Sequence, residues 1–390
     1  MRQKHKKTIL VTSMSASMAH VVRPLQVSKY LREMGYRVIF SGTGKPLKLV
    51  IEAGFDVFPL PDWNLKELIA KIKSNSDHIH TLEQVETWVQ AELDLYKQIK
   101  PSAILDDSRV TSYISSALAC LPRISIQNAY VHKYAVRGFM DPSLKGPRSI
   151  MEPGYEEPYN QVLLKHNLSP VASLSDLIEA DLNLLCDVPE FAPIHTVPTG
   201  YQYVGPIIWG EDLALPPWYE TLDPDKPTLY VTMGSTGAPQ SFQAVVDNLN
   251  GFGYQIMMTL GSLVNQEDLG DLPRDFFTVP YASGKTLASR ADAIICHAGN
   301  GTAYQALLSG IPIITWPSVK DQYWNARRLN ELGVSVNISS GAELIKAVEE
   351  VLGNPAYRKN ALNFSEILKK YNGPQFSAQL IHIFLENIEN

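Results

Sequence analysis

A chain of 390 residues, 45% hydrophobic and 19% charged, is too long for one ordinary core, suits two domains, and excludes intrinsic disorder. The formal net charge of −6 excludes a general attraction to nucleic acid or to anionic membrane. Cys120, Cys186 and Cys296 lack metal-ligand spacing, and each sits in an apolar run, which reads as buried free thiols in a reducing cytoplasm.

The first seven residues are basic, as in a signal peptide, but the apolar segment after them (8–14) is short and holds polar residues. It reads as the first buried strand of an α/β domain. No stretch approaches a transmembrane span, so a soluble cytoplasmic protein is expected, with peripheral membrane contact left open. Residues 36–41, 55–60, 103–106 and 123–127 are also strand-like, with helical patterns between several of them. The segment Ser28–Gly35 ends a helix at a glycine just before the second strand, as a βαβ unit should. Residues 79–100 predict a longer amphipathic helix with Leu82, Val85, Val89, Leu93 and Tyr96 on one side.

From about 130 to 175 the periodicity weakens, and Tyr130, Tyr134, Phe139, Met140, Met151, Tyr155 and Tyr159 stand among prolines and glycines. This segment reads either as an aromatic-lined region over a ligand pocket or as ordinary packing of irregular chain. Strand signals return at 181–186 and 202–204. A Pro-rich stretch through Pro206, Pro216, Pro217, Pro224 and Pro227 marks the best domain boundary. Alternation then begins afresh at 228–233, 254–260, 276–279, 293–296 and 311–315. The expectation is two doubly wound, Rossmann-like halves, at residues 1–205 and 228–373, joined by a linker at 206–227.

The most informative run is His297-Ala298-Gly299-Asn300-Gly301-Thr302. It lies on a strand-to-helix turn, between the apolar 293–296 and a helical pattern over 302–308 that ends at Gly310 and Pro312. Free backbone N–H groups and the positive end of a helix dipole meet at such a turn and favour phosphate, and His297 adds a side-chain donor. The dinucleotide fingerprint fails, because Tyr304 takes the third glycine's place, so a nicotinamide oxidoreductase fits poorly.

The run continues through Gly310-Ile311-Pro312, Pro317, Asp321-Gln322, Asn325-Ala326 and Gly333. In order and spacing, residues 276–335 resemble the donor-binding signature of GT-B glycosyltransferases, in the group of UDP-glycosyltransferases and macrolide glycosyltransferases. That resemblance implies a GT-B fold, two Rossmann-like domains facing across a cleft, with a C-terminal helix (374–390) packing back on the first domain. In that helix Phe376, Leu380, Ile383, Phe384 and Ile388 are apolar at roughly helical spacing. Metal-free, inverting transfer of a hexose from a UDP- or dTDP-sugar to a hydroxyl of a lipophilic small molecule is the implied activity.

Such a transfer needs a base, stabilisation of the leaving diphosphate and an oriented sugar. His20, in Met18-Ala19-His20-Val21-Val22-Arg23-Pro24-Leu25, resembles the family's Gly-His-x-x-Pro-Leu element, with Ala19 for glycine and Pro24 one place later. It opens a helix after the first strand, at the edge where α/β sheets bind ligands, and is the expected base. Relatives pair this histidine with an aspartate. Here Asp106-Asp107 fills the place, with Asp107 fitting the spacing better, though either could instead cap the next helix.

The loop Thr232-Met233-Gly234-Ser235-Thr236-Gly237 resembles the family's phosphate-binding Gly-Ser element. Ser235, His297, Asn300, Gly301 and Thr302 are therefore the expected diphosphate cradle, which requires no metal or other cofactor. Asp223-Pro224-Asp225 matches a metal-binding Asp-x-Asp pattern but lies in the linker and reads as a solvated turn. Tyr281 in Val279-Pro280-Tyr281 falls where the family stacks the nucleobase. Gln305 replaces the family's ribose-binding glutamate, which leaves room for dTDP. Asp321-Gln322 matches the pair that bonds sugar hydroxyls.

Three other functions remain open on these residues. They are transfer to a cell-wall or lipid-linked precursor (suggested by Gly42-Thr43-Gly44-Lys45 and Glu52-Ala53-Gly54), nucleotide-sugar 2-epimerisation, and a catalytically inactive auxiliary of a glycosyltransferase. Either a monomer or a homodimer is compatible with the sequence.

Overall fold

The computed structural model describes residues 7–136, 138, 141–209, 213–234, 240–261 and 264–388. Two compact units emerge. One holds residues up to 142, 147–207 and 371 onward, and the other holds 143–146 and 208–370.

The first unit runs β1 (Thr8–Ser13), α1 (Met18–Glu33), β2 (Arg37–Ser41), α2 (Leu47–Glu52), β3 (Asp56–Phe58), α3 (Leu65–Lys73), α4 (Leu82–Ile99), β4 (Ala103–Asp107), α5 (Ser112–Ala119), β5 (Arg123–Gln127), α6 (Glu157–Lys165), β6 (Leu182–Leu185) and β7 (Tyr201–Tyr203). Among the described residues its strands form a parallel sheet of order β3-β2-β1-β4-β5-β6-β7. Alternate residues serve opposite faces, as strand pleating requires. Ile9, Val11, Ala103 and Leu105 join Val21, Leu25 and Leu31 of α1 in one core. Leu10 and Ile104 join Leu95 and Tyr96 of α4 in another.

The second unit repeats the plan with β8 (Thr228–Thr232), α7 (Gln240–Leu249), β9 (Gln255–Thr259), β10 (Phe276–Val279), α8 (Gly284–Arg290), β11 (Ala293–Cys296), α9 (Asn300–Leu308), β12 (Ile313–Thr315), α10 (Lys320–Glu331), β13 (Ser335–Asn337), α11 (Leu344–Gly353) and α12 (Pro355–Leu368). Its sheet is parallel in the order β10-β9-β8-β11-β12-β13. Each sheet reverses its winding between its first strand and its fourth. Ligands bind at the carboxyl ends beside such a switch point. The two doubly wound sheets agree with the alternation in the sequence.

The last helix, α13 (Gly373–Asn387), belongs to the first unit and places Ala378, Ile381 and Leu385 in the core shared with α1. This corrects the apolar face expected for it. Phe376, Ile383 and Ile388 are exposed, while Leu380 and Phe384 pack only at the edge of that core. Cys120 is a second correction: it caps α5 in the left-handed region and is exposed, whereas Cys186 and Cys296 are buried free thiols. On α4, Val85, Val89 and Tyr96 are buried but Leu82 is not. The aromatic region contributes Tyr155 and Tyr159, with Trp63 and Trp88, to a packed cluster, and Phe139 and Met140 lie outside the described residues.

Candidate functional site

In the first unit, His20 and Asp107 meet at the switch point. His20 is the third residue of α1, which follows β1, and Asp107 ends β4, the neighbour of β1. Ala19 is helical and exposed, so the place of the family's glycine needs no unusual backbone. Pro24 lies inside α1 and offers no N–H to the carbonyl of His20, four residues earlier.

His20 Nδ1 is 2.6 Å from Asp107 Oδ1, with Asp107 fully buried and the His20 side chain 22% exposed. The contact assigns the proton to Nδ1, where it is donated to the carboxylate, and leaves Nε2 with its lone pair. Ser108 follows at φ +62°, a costly angle for serine, in the turn that leaves the sheet directly after the carboxylate.

Asp106, the other candidate, faces the opposite side of the sheet. It accepts from Arg123 Nη1 at 2.5 Å and from Ser112 Oγ at 3.0 Å. Burial pushes its carboxyl up to about 6 despite Arg123.

Arg23, not anticipated from the sequence, joins the pair. It donates from Nε to Asp107 Oδ2 at 2.8 Å, from Nη2 to Oδ1 at 2.6 Å, and from Nη1 to Asn128 Oδ1 at 2.8 Å. Burial works against the guanidinium charge, but Asp107 overrides it and raises the Arg23 pKa. The signal was present, since residues three apart share a helix face.

In the second unit the corresponding position is occupied by His297. It follows β11, next to β8, whose following loop begins at Met233-Gly234. The imidazole is gripped between two glycines. A Cβ on Gly234 would lie 2.5 Å from its Cε1, and one on Gly299 would overlap Nε2. Gly234 also holds φ +55°, which favours glycine. His297 is 5% exposed, and its Nδ1 has no hydrogen-bond partner among the described residues. Burial pushes it down to about 4, opposed by the nearby Thr232 backbone, so the ring is neutral at pH 7.

Ala298 continues at φ +64°, its carbonyl held by Asn325 Nδ2 at 2.9 Å. Asn300, Gly301 and Thr302 then form the first turn of α9, whose cap residue, Gly299, has no side chain to bond their amides. The turn therefore presents backbone donors and the positive dipole end beside a buried imidazole. Such an arrangement suits a diphosphate. Ser235 lies outside the described residues.

Gln305 is further along α9. Its amide donates to the Trp209 carbonyl at 3.2 Å, and its Oε1 lies against Gly284, where a Cβ would overlap it. A glutamate could not make the bond to Trp209, which gives this position a local reason to be glutamine. Tyr281, just past β10, is 48% exposed. Asp321 is half-buried in the first turn of α10. Gln322 is fully buried, and its Oε1 accepts from Ser318 N at 2.8 Å and Ser318 Oγ at 3.1 Å, capping the helix on which Asp321 stands.

Asp223 accepts from Asp225 N at 3.0 Å in a local turn. Among the described residues, no group of three or more His, Cys, Asp or Glu is placed to hold a metal ion. No helix among them is long and apolar enough to cross a membrane.

Comparison with known proteins adds three kinds of likeness. The family model of the C-terminal domain of erythromycin biosynthesis protein CIII-like proteins matches residues 243–376. A PGL/p-HBAD biosynthesis glycosyltransferase of Mycobacterium tuberculosis is 28% identical over 97% of this chain and 91% of its own length. The solved glycosyltransferase of kitacinnamycin superposes with a TM-score of 0.78 at 20% identity, covering 98% of this chain and 100% of its own. A spinosyn rhamnosyltransferase complexed with thymidine diphosphate does so with a TM-score of 0.72 at 19% identity, covering 99% and 100%.

Proposed function

For a chain that belongs to the GT-B fold glycosyltransferase superfamily, we propose inverting transfer of a hexose from a UDP- or dTDP-sugar to a hydroxyl of a lipophilic small molecule, without a metal. The observation that carries this reading is the His20–Asp107 pair at the carboxyl end of β1 and β4, with Nε2 of a partly exposed imidazole left free to take a proton. As the acceptor oxygen attacks the anomeric carbon, its proton passes to His20 Nε2. The bond from that carbon to the diphosphate oxygen breaks, and the nucleoside diphosphate leaves. A single displacement inverts the anomeric centre. Asp107 holds the tautomer and stabilises the imidazolium that forms.

His297 and the amides of Asn300, Gly301 and Thr302 meet the growing charge of the diphosphate, with Ser235 as a further donor. Tyr281 stacks on the nucleobase, and the single acceptor oxygen of Gln305 suits a deoxyribose. The thymidine diphosphate held by the spinosyn enzyme is consistent with that choice. Asp321 bonds the sugar's hydroxyls, with Gln322 supporting its turn. We infer a cytoplasmic enzyme that meets its acceptor in solution or at a membrane surface.

The test is turnover of UDP- and dTDP-hexoses with a panel of hydrophobic hydroxylated acceptors in the presence of chelator. The product's anomeric configuration is read by NMR. Retention of configuration, or activity abolished by chelator and restored by a divalent ion, would refute the mechanism. Conversion of a nucleotide sugar without any acceptor would instead favour epimerisation.

A further inference from the structure

The helix α1 carries His20 in its first turn but begins without a side-chain cap. Ser17, the residue before it, makes no side-chain bond to the first amides. Ser15, fully buried two residues earlier, fixes the turn instead. Its N–H and its Oγ both donate to Asp62 Oδ2, at 2.5 and 2.7 Å. The same Oγ accepts from the amides of Thr43 and Gly44 at 3.2 and 3.0 Å. A Cβ on Gly42 would lie 2.5 Å from that oxygen, and one on Gly44 would overlap the Ser15 carbonyl. Close approach to Ser15 thus accounts for both glycines after β2.

Asp62, between β3 and α3, is held from its other side as well. Its side chain is 5% exposed, and Oδ1 accepts from Trp63 N at 2.7 Å and lies 3.6 Å from Arg109 Nη1. Arg109 follows Asp107 by two residues in the turn after β4. It also donates from Nη2 to the Pro61 carbonyl at 2.8 Å and from Nε to the buried Glu92 of α4 at 2.5 Å. Thr111 and Ser115 donate to the same Glu92 carboxylate at 2.5 and 2.6 Å. A circuit therefore closes. It runs from His20 to Asp107, through Ser108 to Arg109, across to Asp62, and back through Ser15 to the start of α1. The two turns also share a backbone bond, from Met14 N to the Asp107 carbonyl at 3.1 Å.

A buried ion cluster adds little net stability over packed apolar groups, because desolvation offsets most of its attraction. What this one supplies is a fixed geometry. Asp62 must be a carboxylate to do so: Ser15 occupies one oxygen, Trp63 and Arg109 the other, and an asparagine has one acceptor oxygen only.

We propose that Asp62 and Ser15 are positioning residues, which hold the β1–α1 turn against the β4–α5 turn so that His20 stays in register with Asp107. The proposal rests on the reading of His20 as the base.

Asp62→Asn gives up one of the two attachments, and Ser15→Ala is a milder variant that leaves the ion cluster whole. The full-length enzyme is assayed with whichever donor–acceptor pair supports turnover. Each variant should lower kcat by about 10- to 100-fold, the effect of moving a reacting group by about 1 Å. Acceptor KM and calorimetric affinity for nucleoside diphosphate should not change. In a His20→Ala background neither substitution should lower kcat further, because both act through that ring. A raised acceptor KM with kcat intact, or the full loss repeated without His20, overturns the proposal.

A second measurement needs no turnover. The His20 Nδ1 proton, donated to Asp107, is followed by proton NMR at low field and assigned by its absence from His20→Ala. It should be lost or broadened in Ser15→Ala and in Asp62→Asn. Where Asp62→Asn fails to fold, Ser15→Ala carries the test. An unchanged signal in the folded variants overturns the positioning role. A lost signal in a protein that turns over no donor–acceptor pair supports that role and locates the failure in the transferase reading.

Discussion

The grip of Gly234 and Gly299 on His297 can be tested with a single methyl group. At Gly299 the backbone has φ −64°, so alanine adds no left-handed strain. The three atoms that its Cβ would meet are Nε2, Cε1 (at 2.7 Å) and Cδ2 (at 3.4 Å), all on the His297 ring. Gly299→Ala must therefore displace the imidazole. If that ring donates to a bound diphosphate, the loss is one hydrogen bond to a charged group, about 1.5–3 kcal/mol. At 1.4 kcal/mol per decade, nucleoside diphosphate affinity should fall by about 10- to 100-fold. His297→Ala should cost a similar amount. In the double variant the methyl occupies the space left by the ring, so the two effects should not add, and the coupling should approach the size of either single effect. Calorimetric titration of the four proteins with UDP and with dTDP, chelator present, gives the cycle. Additive losses, or wild-type affinity in Gly299→Ala, would show that the imidazole does not act on the ligand.

Acid stability follows from buried histidines. Burial pushes His80 and His132 down to about 3 and His297 down to about 4, so below about pH 6.5 the unfolded chain binds protons that these rings refuse. Stability must fall as pH drops through that window, whereas Asp106, pushed up to about 6, contributes in the opposite sense between about 6 and 3.8. Between pH 7.5 and 4.5 the loss from the three rings should exceed what Asp106 returns, so the urea-unfolding midpoint should fall as pH drops. A pH-independent midpoint would contradict the buried, neutral state. His20→Ala and Asp107→Asn should each lower kcat by about 10²- to 10⁴-fold while leaving calorimetric affinity for nucleoside diphosphate intact. A parallel loss of affinity would argue against a base role. Gln305→Glu cannot donate to the Trp209 carbonyl and should cost about 1 kcal/mol of stability, while adding a second acceptor oxygen that favours UDP over dTDP. Unchanged nucleotide preference would remove Gln305 from the ribose contact.

Both sheets were legible in the sequence because parallel strands buried on two faces appear as short apolar runs, and their carboxyl ends bring the His20 and His297 turns to the switch points. The short, partly polar β13 gave no such run. The face of α13 was misread because Phe376, Ile383 and Ile388 form an apolar set that is exposed, while the buried side uses small residues, Gly373, Ser377 and Ala378, with Ile381 and Leu385. Small residues allow close approach to α1 but carry little hydrophobic signal.

The choice between Asp106 and Asp107 illustrates a different limit. Neighbouring residues on a strand point to opposite faces, so the matter turns on parity. Asp107 shares parity with Ala103 and Leu105, which pack with Val21 and Leu25 of α1, the helix that carries His20. Asp106 shares parity with Ile104, on the face covered by α4. Once α1 is assigned to a face, the pairing of Asp107 with His20 follows without any measured distance. The sequence contains the parity, but the handedness that puts α1 on that face is a property of the folded βαβ unit. Arg23 could be found from the same step: with His20 directed at Asp107, the residue three positions on along the same helix face is bound to meet the same carboxylate.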